Sequence, residues 1–405
     1  MKIENAWMLL PDRKVGYGTI EIADGVIRDV ALARPPDDGG AAPSALVLPG
    51  LVNCHGHTAM TLTRGLGGGL PLQRWLEEAI FPVEAKMTPQ DVRAGAVWGI
   101  VEMLAGGTTS VVDMYDFPAE TEAALQAAGM KGNVCRVGLS FVPGRLDDCI
   151  AFTRAHPKAH VCVHSEYLTD ETFCRALAAA NNAELKRPLH VHVSETEKEH
   201  SECLVRHGKT PIAYLAGTGL LDQGGFAAHC VYCTDDDFRI MAEKGVVLVH
   251  NPTSNMKLGS GFARIPRALE LGVKVALGTD GCASNDNLDM FEEMHLASLV
   301  HKGLAKDPTV LSVWDVIAMA PFGNEIRVGA PADLCVVDMD RPHLTPCLDI
   351  PNLVVHSMHA SDVVRTIVDG RVLYDRGRYL TIDVEKARSE FLAAVRRIGL
   401  RGCTG

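Results

Sequence analysis

The chain has 405 residues, 47% of them hydrophobic, and a formal net charge of −11 at pH 7. This length allows a large buried core, and the acidic balance argues against nucleic acid or an anionic membrane as the main partner. We therefore expect a small-molecule ligand, with homo-oligomerisation left open. No apolar run reaches the roughly 18 residues of a membrane span, and the start MKIENAWMLLPDRK lacks the apolar stretch of a signal peptide, so we expect a cytoplasmic protein.

The twelve cysteines are scattered along the chain. Several of them, such as Cys135, Cys162 and Cys335, stand inside apolar runs, which predicts small buried side chains rather than a disulfide framework. The one C-x-x-C motif, from Cys230 to Cys233, lacks the second pair that a structural zinc site would need.

The N-terminal segment contains GTIEIADGVIRDVAL, which predicts two short strands around an Asp-Gly turn. From Leu46 onward, valine-rich apolar runs alternate with helical stretches, several of which end in glycine. The eight runs are ALVLPGLVNCH, TTSVVDMY, NVCRVGLSF, AHVCVHSEY, PLHVHVSE, GFAAHCVY, VVLVHNP and VKVALGTD. Eight strand–helix units over residues 49–322 predict a (β/α)8 barrel of the TIM type, while a doubly wound open sheet has the same periodicity and stays an alternative.

The segment after the barrel resembles the N-terminal one in its pattern. ADLCVVDMD and VVRTIVDGRVLYDRGRY predict further short strands with tight turns. We expect residues 1–48 and 323–382 to pair into one small β-sandwich domain. The helix VEKARSEFLAAVRRIG and a short tail, residues 383–405, complete the chain.

The first barrel strand ends in His55-Gly56-His57. Residues two apart on a strand share a face, so the two imidazoles are placed to bind one metal ion, although two histidines in a surface loop would give the same pattern. Because active sites of such barrels lie at the carboxyl ends of the strands, the polar residues that end the other runs matter equally. They are Arg136, His164, His192, Glu195, His229 and Asp280.

Three of these imidazoles and one carboxylate suit a single divalent cation, zinc or alternatively Fe²⁺; the set is His55, His57, His192 and Asp280. If one coordination position is left open, a water molecule can bind there, and the cation lowers the pKa of that water. His229 could orient that water and Asp280 could accept its proton. Glu195 follows His192 by three residues, which fits a general acid, or else a cap for the helix that follows.

Several motifs together resemble the amidohydrolase superfamily, in the branch of the S-adenosylhomocysteine, methylthioadenosine and related adenosine deaminases. They are PGLVNCHGH, GGTTSVVDMY, HVHVSETEKE, AHC, HNPTSNMKLGSG and LGTDGCASN, with WLEEAIFPVEAKMT similar to that branch's ribose-binding segment. The resemblance covers nearly the whole chain. It implies metal-dependent, hydrolytic removal of the adenine amino group from nucleosides such as S-adenosylhomocysteine, 5′-methylthioadenosine, 5′-deoxyadenosine and adenosine.

The resemblance also implies roles for particular residues. The metal ligands match His55, His57, His192 and Asp280; the proton shuttle matches Glu195, and the residue facing the water matches His229. Glu84 matches the ribose contact, Arg136 and Arg145 match arginines that hold an amino-acid carboxylate in some members, and His164 and Ser284 match further substrate contacts.

The sequence departs from the family pattern in three places. The loop from Leu139 to Arg145 is shorter than usual, the segment 318–332 lacks much of its alanine- and glycine-rich part, and Tyr232 replaces a frequent second histidine. Because the loop should cover the far end of the substrate, the nature of the 5′ substituent is left open.

Three other functions are compatible with parts of the sequence. A barrel of this type could act on guanine, a pterin or a triazine, or it could be a scaffold that has lost its chemistry. The filled ligand positions argue against the scaffold. A cytidine-type zinc deaminase needs H-x-E followed by P-C-x-x-C, and only His164-Ser165-Glu166 fits the first part.

Overall fold

The computed structural model describes residues 1–35 and 44–400. This part of the chain forms two β-structures, one from its ends and one from its middle, and helices separate the strands of the middle part. The strands are β1 (Lys2–Leu10), β2 (Lys14–Ala23), β3 (Val26–Leu32), β4 (Ala45–Pro49), β5 (Leu51–His57), β6 (Thr108–Tyr115), β7 (Lys131–Arg136), β8 (Val161–Cys162), β9 (Leu189–Val193), β10 (Gly225–His229), β11 (Val246–His250), β12 (Val275–Leu277), β13 (Asp280–Gly281), β14 (Leu334–Asp338), β15 (Val363–Val368), β16 (Arg371–Asp375) and β17 (Arg378–Tyr379).

The α-helices are α1 (Leu72–Arg74), α2 (Phe81–Glu84), α3 (Pro89–Ala105), α4 (Pro118–Ala128), α5 (Arg145–Ala155), α6 (Glu171–Ala180), α7 (Glu197–His207), α8 (Pro211–Thr218), α9 (Asp235–Lys244), α10 (Pro252–Lys257), α11 (Ile265–Glu270), α12 (Met290–Ala305), α13 (Val313–Met319), α14 (Ile350–His356) and α15 (Val384–Arg397). Many begin at a side-chain cap, as α9 does, where Thr234 and Asp237 form a capping box. Across the described ranges, no helix has both the length and the apolar composition that crossing a membrane requires.

Both ends of the chain contribute to one eight-stranded sheet, in the order β17-β16-β15-β14-β4-β1-β2-β3. Strand β4 joins the two halves, because it runs parallel to β1 and antiparallel to β14. The predicted turn between β2 and β3 is present, and Asp24 and Gly25 both have positive φ, as a tight hairpin of this kind requires. The predicted association of the two ends is confirmed.

The remaining strands run parallel and surround a common interior. They form two arcs, β13-β5-β6-β7 and β8-β9-β10-β11-β12. A bridge between Cys135 and His160 joins the arcs on one side, while β12 and β13 follow each other along the chain on the other side. With helices between successive strands, this is the predicted (β/α)8 barrel. Its strands are continuous apolar runs because one face of each strand lies against the barrel interior and the other against the helices. Strands β9 and β11, for example, are buried along their whole length.

The run ALVLPGLVNCH, predicted as one strand, is divided at Gly50. The first half is β4 of the terminal sheet, and the second half is β5 of the barrel. A side chain at Gly50 would come within 2.4 Å of Thr109, so only glycine fits where the chain passes between the two bodies. We propose Gly50, slightly beyond the predicted boundary at 48/49, and residues 322/323 as the boundaries between the two bodies.

The cysteines behave as small apolar side chains. Cys135, Cys162 and Cys335 are buried and free, which confirms the prediction for them. Cys230 and Cys233 are likewise buried in the core that the helices form around the barrel. Burial raises the pKa of the Cys233 thiol well above its ordinary value.

Candidate metal centre and active site

Four imidazoles and one carboxylate meet at the carboxyl ends of the barrel strands. His55 and His57 end β5, His192 lies in β9, His229 ends β10, and Asp280 begins β13. All five side chains are buried. Asp280 Oδ1 lies 3.2 Å from His55 Nε2 and 3.1 Å from His57 Nε2, and His57 Nε2 lies 3.2 Å from His192 Nε2.

Each of these imidazoles has a partner for its Nδ1 on the side away from the cluster. For His57 it is the carbonyl oxygen of Met114, and for His192 the carbonyl oxygen of His164, at 2.8 Å. For His55 it is His190 Nε2, at 2.8 Å, and for His229 it is Asn255 Oδ1, at 2.9 Å. A carbonyl oxygen accepts only from a protonated Nδ1, which leaves the Nε2 lone pair free towards the cluster.

The inner atoms of the cluster are acceptors that face one another. Ligand atoms of His55, His192, His229 and Asp280 all lie within 4.8 Å of one another. His55 Nε2 is buried and has no hydrogen-bond partner among the residues that the structure describes. Converging lone pairs of buried imidazoles beside a carboxylate are unfavourable without a cation, so the residues present fit a divalent metal of the zinc type.

The pKa values in the cluster follow from burial and from Asp280. Burial lowers the pKa of His55 to about 4, which favours the neutral imidazole that a metal needs. At His57 burial acts in the same direction, but the hydrogen bond and the charge of Asp280 outweigh it and raise the pKa to about 9.

Two of the candidate residues have unusual backbone conformations. His229 has φ of 72° and Asp280 has φ of 61°, both in the left-handed region that side chains other than glycine rarely adopt. Such strain is typical of functional sites, where the surrounding structure holds a side chain in a required position. Asp280 is fixed further by the hydroxyl groups of Ser254 and Ser284, which both donate to Oδ2 at 2.7 Å.

Glu195 lies beside the cluster and faces the same cavity. Its Oε2 is 3.8 Å from His229 Nε2, and its Oε1 lies 3.4 Å from the hydroxyl of Ser260. Burial raises the pKa of the Glu195 carboxyl, which favours its protonated form. The cap of α7 is Thr196, so the alternative of a capping role for Glu195 does not apply. The carboxylate of Glu199 accepts the Glu195 backbone N–H and holds this segment in place.

A cavity of about 440 Å³ opens from the cluster. One wall is the segment WLEEAIFPVEAKM, in which Trp75, Leu76, Ile80 and Glu84 line the cavity. Glu84 accepts a hydrogen bond of 2.7 Å from the hydroxyl of Tyr115. Burial raises the pKa of Glu84. The cavity is therefore apolar with a few acidic and imidazole groups, as small-molecule sites usually are.

The structure brings most predicted site residues together but separates the two arginines from the others. His57, Glu84, His164, His192, Glu195, His229, Asp280 and Ser284 line the cavity. Arg136 and Arg145 do not line it, and both donate to Asp116. His164 has its side chain at the cavity wall, with Nδ1 3.0 Å from the Ser165 hydroxyl.

Sequence reasoning missed the residues that support the predicted ones. Ser254, Asn255 and Ser260 bond Asp280, His229 and Glu195 respectively. All three lie in HNPTSNMKLGSG, a motif that carried the family resemblance without an assigned role. His190 was also visible as the first histidine of HVH, two residues before a predicted ligand.

A parallel barrel with a cluster of imidazole and carboxylate groups at the carboxyl ends of its strands defines the class of the metal-dependent barrel hydrolases. Within that class, the chain belongs to the amidohydrolase family, which its residues 46–373 match.

Similar proteins extend this result over nearly the full length. A 5-methylthioadenosine/S-adenosylhomocysteine deaminase of Acetivibrio thermocellus is 38% identical, with 98% of this chain and 95% of the relative covered. A 5′-deoxyadenosine deaminase of Methanosarcina mazei is 39% identical, with 98% of each chain covered. The crystal structure of an adenosine deaminase from Xanthomonas campestris with bound zinc superposes with a TM-score of 0.90 at 29% identity, with 98% of each chain covered.

Proposed function

We propose that this protein hydrolyses the C6 amino group of adenosine-type nucleosides and releases ammonia and an inosine-type product. The observation that carries the proposal is that Glu195, Glu84 and most of the histidine–aspartate cluster line one largely apolar cavity; the cluster residues concerned are His57, His192, His229 and Asp280. The cavity volume, about 440 Å³, lies in the range that suits a nucleoside-sized ligand. The similarity to two deaminases of 5′-modified adenosines supports the same substrate class.

The proposed metal is one zinc ion per chain, held by His55, His57, His192 and Asp280. We assign His57 rather than His229 as the third imidazole ligand, because His229 Nε2 lies near Glu195 while His57 Nε2 lies 3.1 Å from Asp280. Zinc bound in the related adenosine deaminase favours this ion over Fe²⁺. When bound, a divalent cation lowers the pKa of a water molecule so that it becomes a nucleophile near neutral pH.

The residues of the chain would then move protons. Glu195, whose pKa is raised by burial, holds a proton and delivers it to the purine ring nitrogen N1 as water adds to C6. Asp280 accepts the proton that the attacking water loses. His229, oriented by Asn255, donates or accepts a hydrogen bond at that water. Asp280 then gives its proton to the amino nitrogen, the C6–N bond breaks and ammonia leaves, while the hydroxyl group on C6 gives its proton to Glu195 and C6 becomes a carbonyl.

The rest of the cavity would hold the nucleoside. Glu84 is placed to accept hydrogen bonds from the ribose hydroxyl groups, and Tyr115 keeps its carboxyl oriented. His164 and Ser284 line the cavity near the cluster and are further contacts for the base.

A substrate panel tests this function. The zinc-loaded protein is incubated with adenosine, 5′-methylthioadenosine, 5′-deoxyadenosine, S-adenosylhomocysteine, guanine and a pterin, and ammonia release is followed. We expect release from the nucleosides, and a loss of about 10² or more with Glu195→Gln, which keeps the shape of the side chain but cannot move a proton. Ammonia from guanine or the pterin alone would contradict the proposal and favour the alternative heterocycles.

A further inference from the structure

The two arginines that were expected to contact the substrate, Arg136 and Arg145, both donate to the carboxylate of Asp116. Asp116 Oδ1 accepts hydrogen bonds from Arg136 Nη1, at 3.0 Å, and from Arg145 Nη1, at 2.8 Å. Arg145 also donates to the carbonyl oxygen of Val137, at 3.0 Å, and is buried. Asp148 lies 3.6 Å from Arg136 as well. Nη1 of each arginine is thus occupied by Asp116, so a ligand carboxylate would have to compete there with a carboxylate of the chain itself.

The cavity wall that the structure describes offers no basic lysine or arginine side chain to a substrate. Among the described residues that line the cavity, no lysine or arginine occurs, whereas four are acidic: Glu84, Asp116, Glu195 and Asp280. A carboxylate at the end of a long 5′ substituent would therefore find no such side chain on this wall to pair with. Burial of a carboxylate without such a partner is costly.

The outer part of the cavity is aromatic. Phe81, Phe117 and Phe141 line it and are 39%, 36% and 66% exposed, so a large part of each ring faces solvent or the cavity. Leu139 and Phe141 come from the short loop before Arg145, which therefore contributes apolar rather than polar groups. Phe117 directly follows Asp116 and has φ of 52°, in the left-handed region. Exposed aromatic side chains beside a site bind apolar groups by burial of their surface.

We propose that Asp116 is a specificity-determining residue that selects nucleosides with a short, uncharged 5′ substituent. By pairing with Arg136 and Arg145, Asp116 compensates part of their positive charge, so that they attract a substrate carboxylate less. The aromatic groups beside it favour an apolar substituent such as a methylthio group. An amino-acid tail with its carboxylate is disfavoured. The inference rests on the proposed deamination of adenosine-type nucleosides, and it differs from the expectation that the arginines hold such a tail.

The test compares kcat/KM for 5′-methylthioadenosine and S-adenosylhomocysteine in the zinc-loaded protein. We expect the wild type to prefer methylthioadenosine at least tenfold. Asp116→Asn and Asp116→Ala should reduce this preference at least fivefold, because the guanidinium groups become available to the tail. Asp148→Asn is the matched control, since Asp148 is a second carboxylate near Arg136 that does not line the cavity, and it should leave the preference unchanged.

The inhibition constant of S-adenosylhomocysteine against methylthioadenosine turnover provides a second measurement, and it should fall in both Asp116 variants. A wild type that prefers S-adenosylhomocysteine, or a preference that neither Asp116 variant alters, would overturn the specificity role and leave the deaminase function intact. A zinc-loaded protein that acts on none of the nucleosides would overturn both proposals.

Discussion

His55 and His57 differ in what holds their outer nitrogen. A backbone carbonyl fixes His57, whereas His55 is held by the side chain of His190, which itself lies 3.9 Å from the Cys135 thiol. Groups of this kind set ring orientation and tautomer, and their loss commonly weakens a metal site by about 10- to 100-fold. The orientation of the His55 ring therefore depends on His190, a buried side chain that does not line the cavity.

His57 and His229 both lie close to Asp280, and we propose that His57 is a metal ligand whereas His229 orients the water. His57→Ala should lower the zinc content well below about one per chain, because a direct ligand is lost. His229→Asn should retain the zinc while turnover falls by about 10² or more, since only the orientation of the water is affected. Elemental analysis after gel filtration, together with ammonia release, separates the two. Zinc lost with the His229 change and kept with the His57 change would reverse the assignment.

Glu84 should contribute to binding the sugar and not to the chemistry at C6. Glu84→Gln removes a charged acceptor, which typically costs about 1.5–3 kcal/mol, so kcat/KM for adenosine-type nucleosides should fall by roughly 10-fold or more, mainly through KM. The control is 2′,3′-dideoxyadenosine, which has no hydroxyl groups for this carboxylate. If the variant loses equally on both substrates, Glu84 does not contact the ribose.

At the scale of single elements, α3 supports the segment that carries the histidines. The chain continues from His57 into a short 3₁₀ turn, Thr58–Thr63, which packs against α3. Gly95 and Gly99 of α3 allow this approach, since side chains there would come within 2.6 Å of the Ala59 oxygen and 2.7 Å of the Thr58 oxygen. Asp91 completes the capping box of α3 with Thr88 and pairs with Arg397 of α15, so the C-terminal helix is anchored to the same support.

Gly99→Ala should displace the turn after His57, because the new methyl group would overlap the Thr58 oxygen. We expect weaker zinc binding and a lower melting temperature. Gly303→Ala is the matched control, as Gly303 also lies within a helix, α12, but has no atom within 4 Å of an added methyl group. That change should be neutral or stabilise by about 0.5–1 kcal/mol. Equal effects of the two substitutions would show that α3 does not position the site.

At the scale of the whole molecule, the cluster connects strands that are far apart in sequence. Ligand groups from β5, β9 and β13 would share one ion, which would therefore stabilise the barrel. Removal of the metal with a chelator should lower the melting temperature, since a ligand at 100 times its Kd stabilises the folded state by about 2.7 kcal/mol. Added zinc should restore the melting temperature and added magnesium should not. A melting temperature unaffected by chelation, at a measured loss of metal, would contradict this role.

The barrel could be predicted from the sequence because buried parallel strands leave long apolar runs, and the polar residues that interrupt them mark the strand ends. The first run misled at Gly50, since apolarity does not show that β4 and β5 belong to different bodies. The role of Asp116 could not be predicted either. It depends on side-chain pairing between the end of β6, the end of β7 and the start of α5, which no local pattern in the sequence records.

The position of β4 between β1 and β14 has a consequence for synthesis on the ribosome. The N-terminus of a chain leaves the ribosome first, so β4 is made long before β14. Strand β4 therefore cannot pair with its antiparallel partner until all barrel strands have been made. Until then β4 presents an unpaired apolar edge, a feature that promotes association between chains. A product terminated within the barrel would retain this edge permanently, so incomplete chains are expected to be recognised by chaperones and proteases rather than to persist as partly active enzyme.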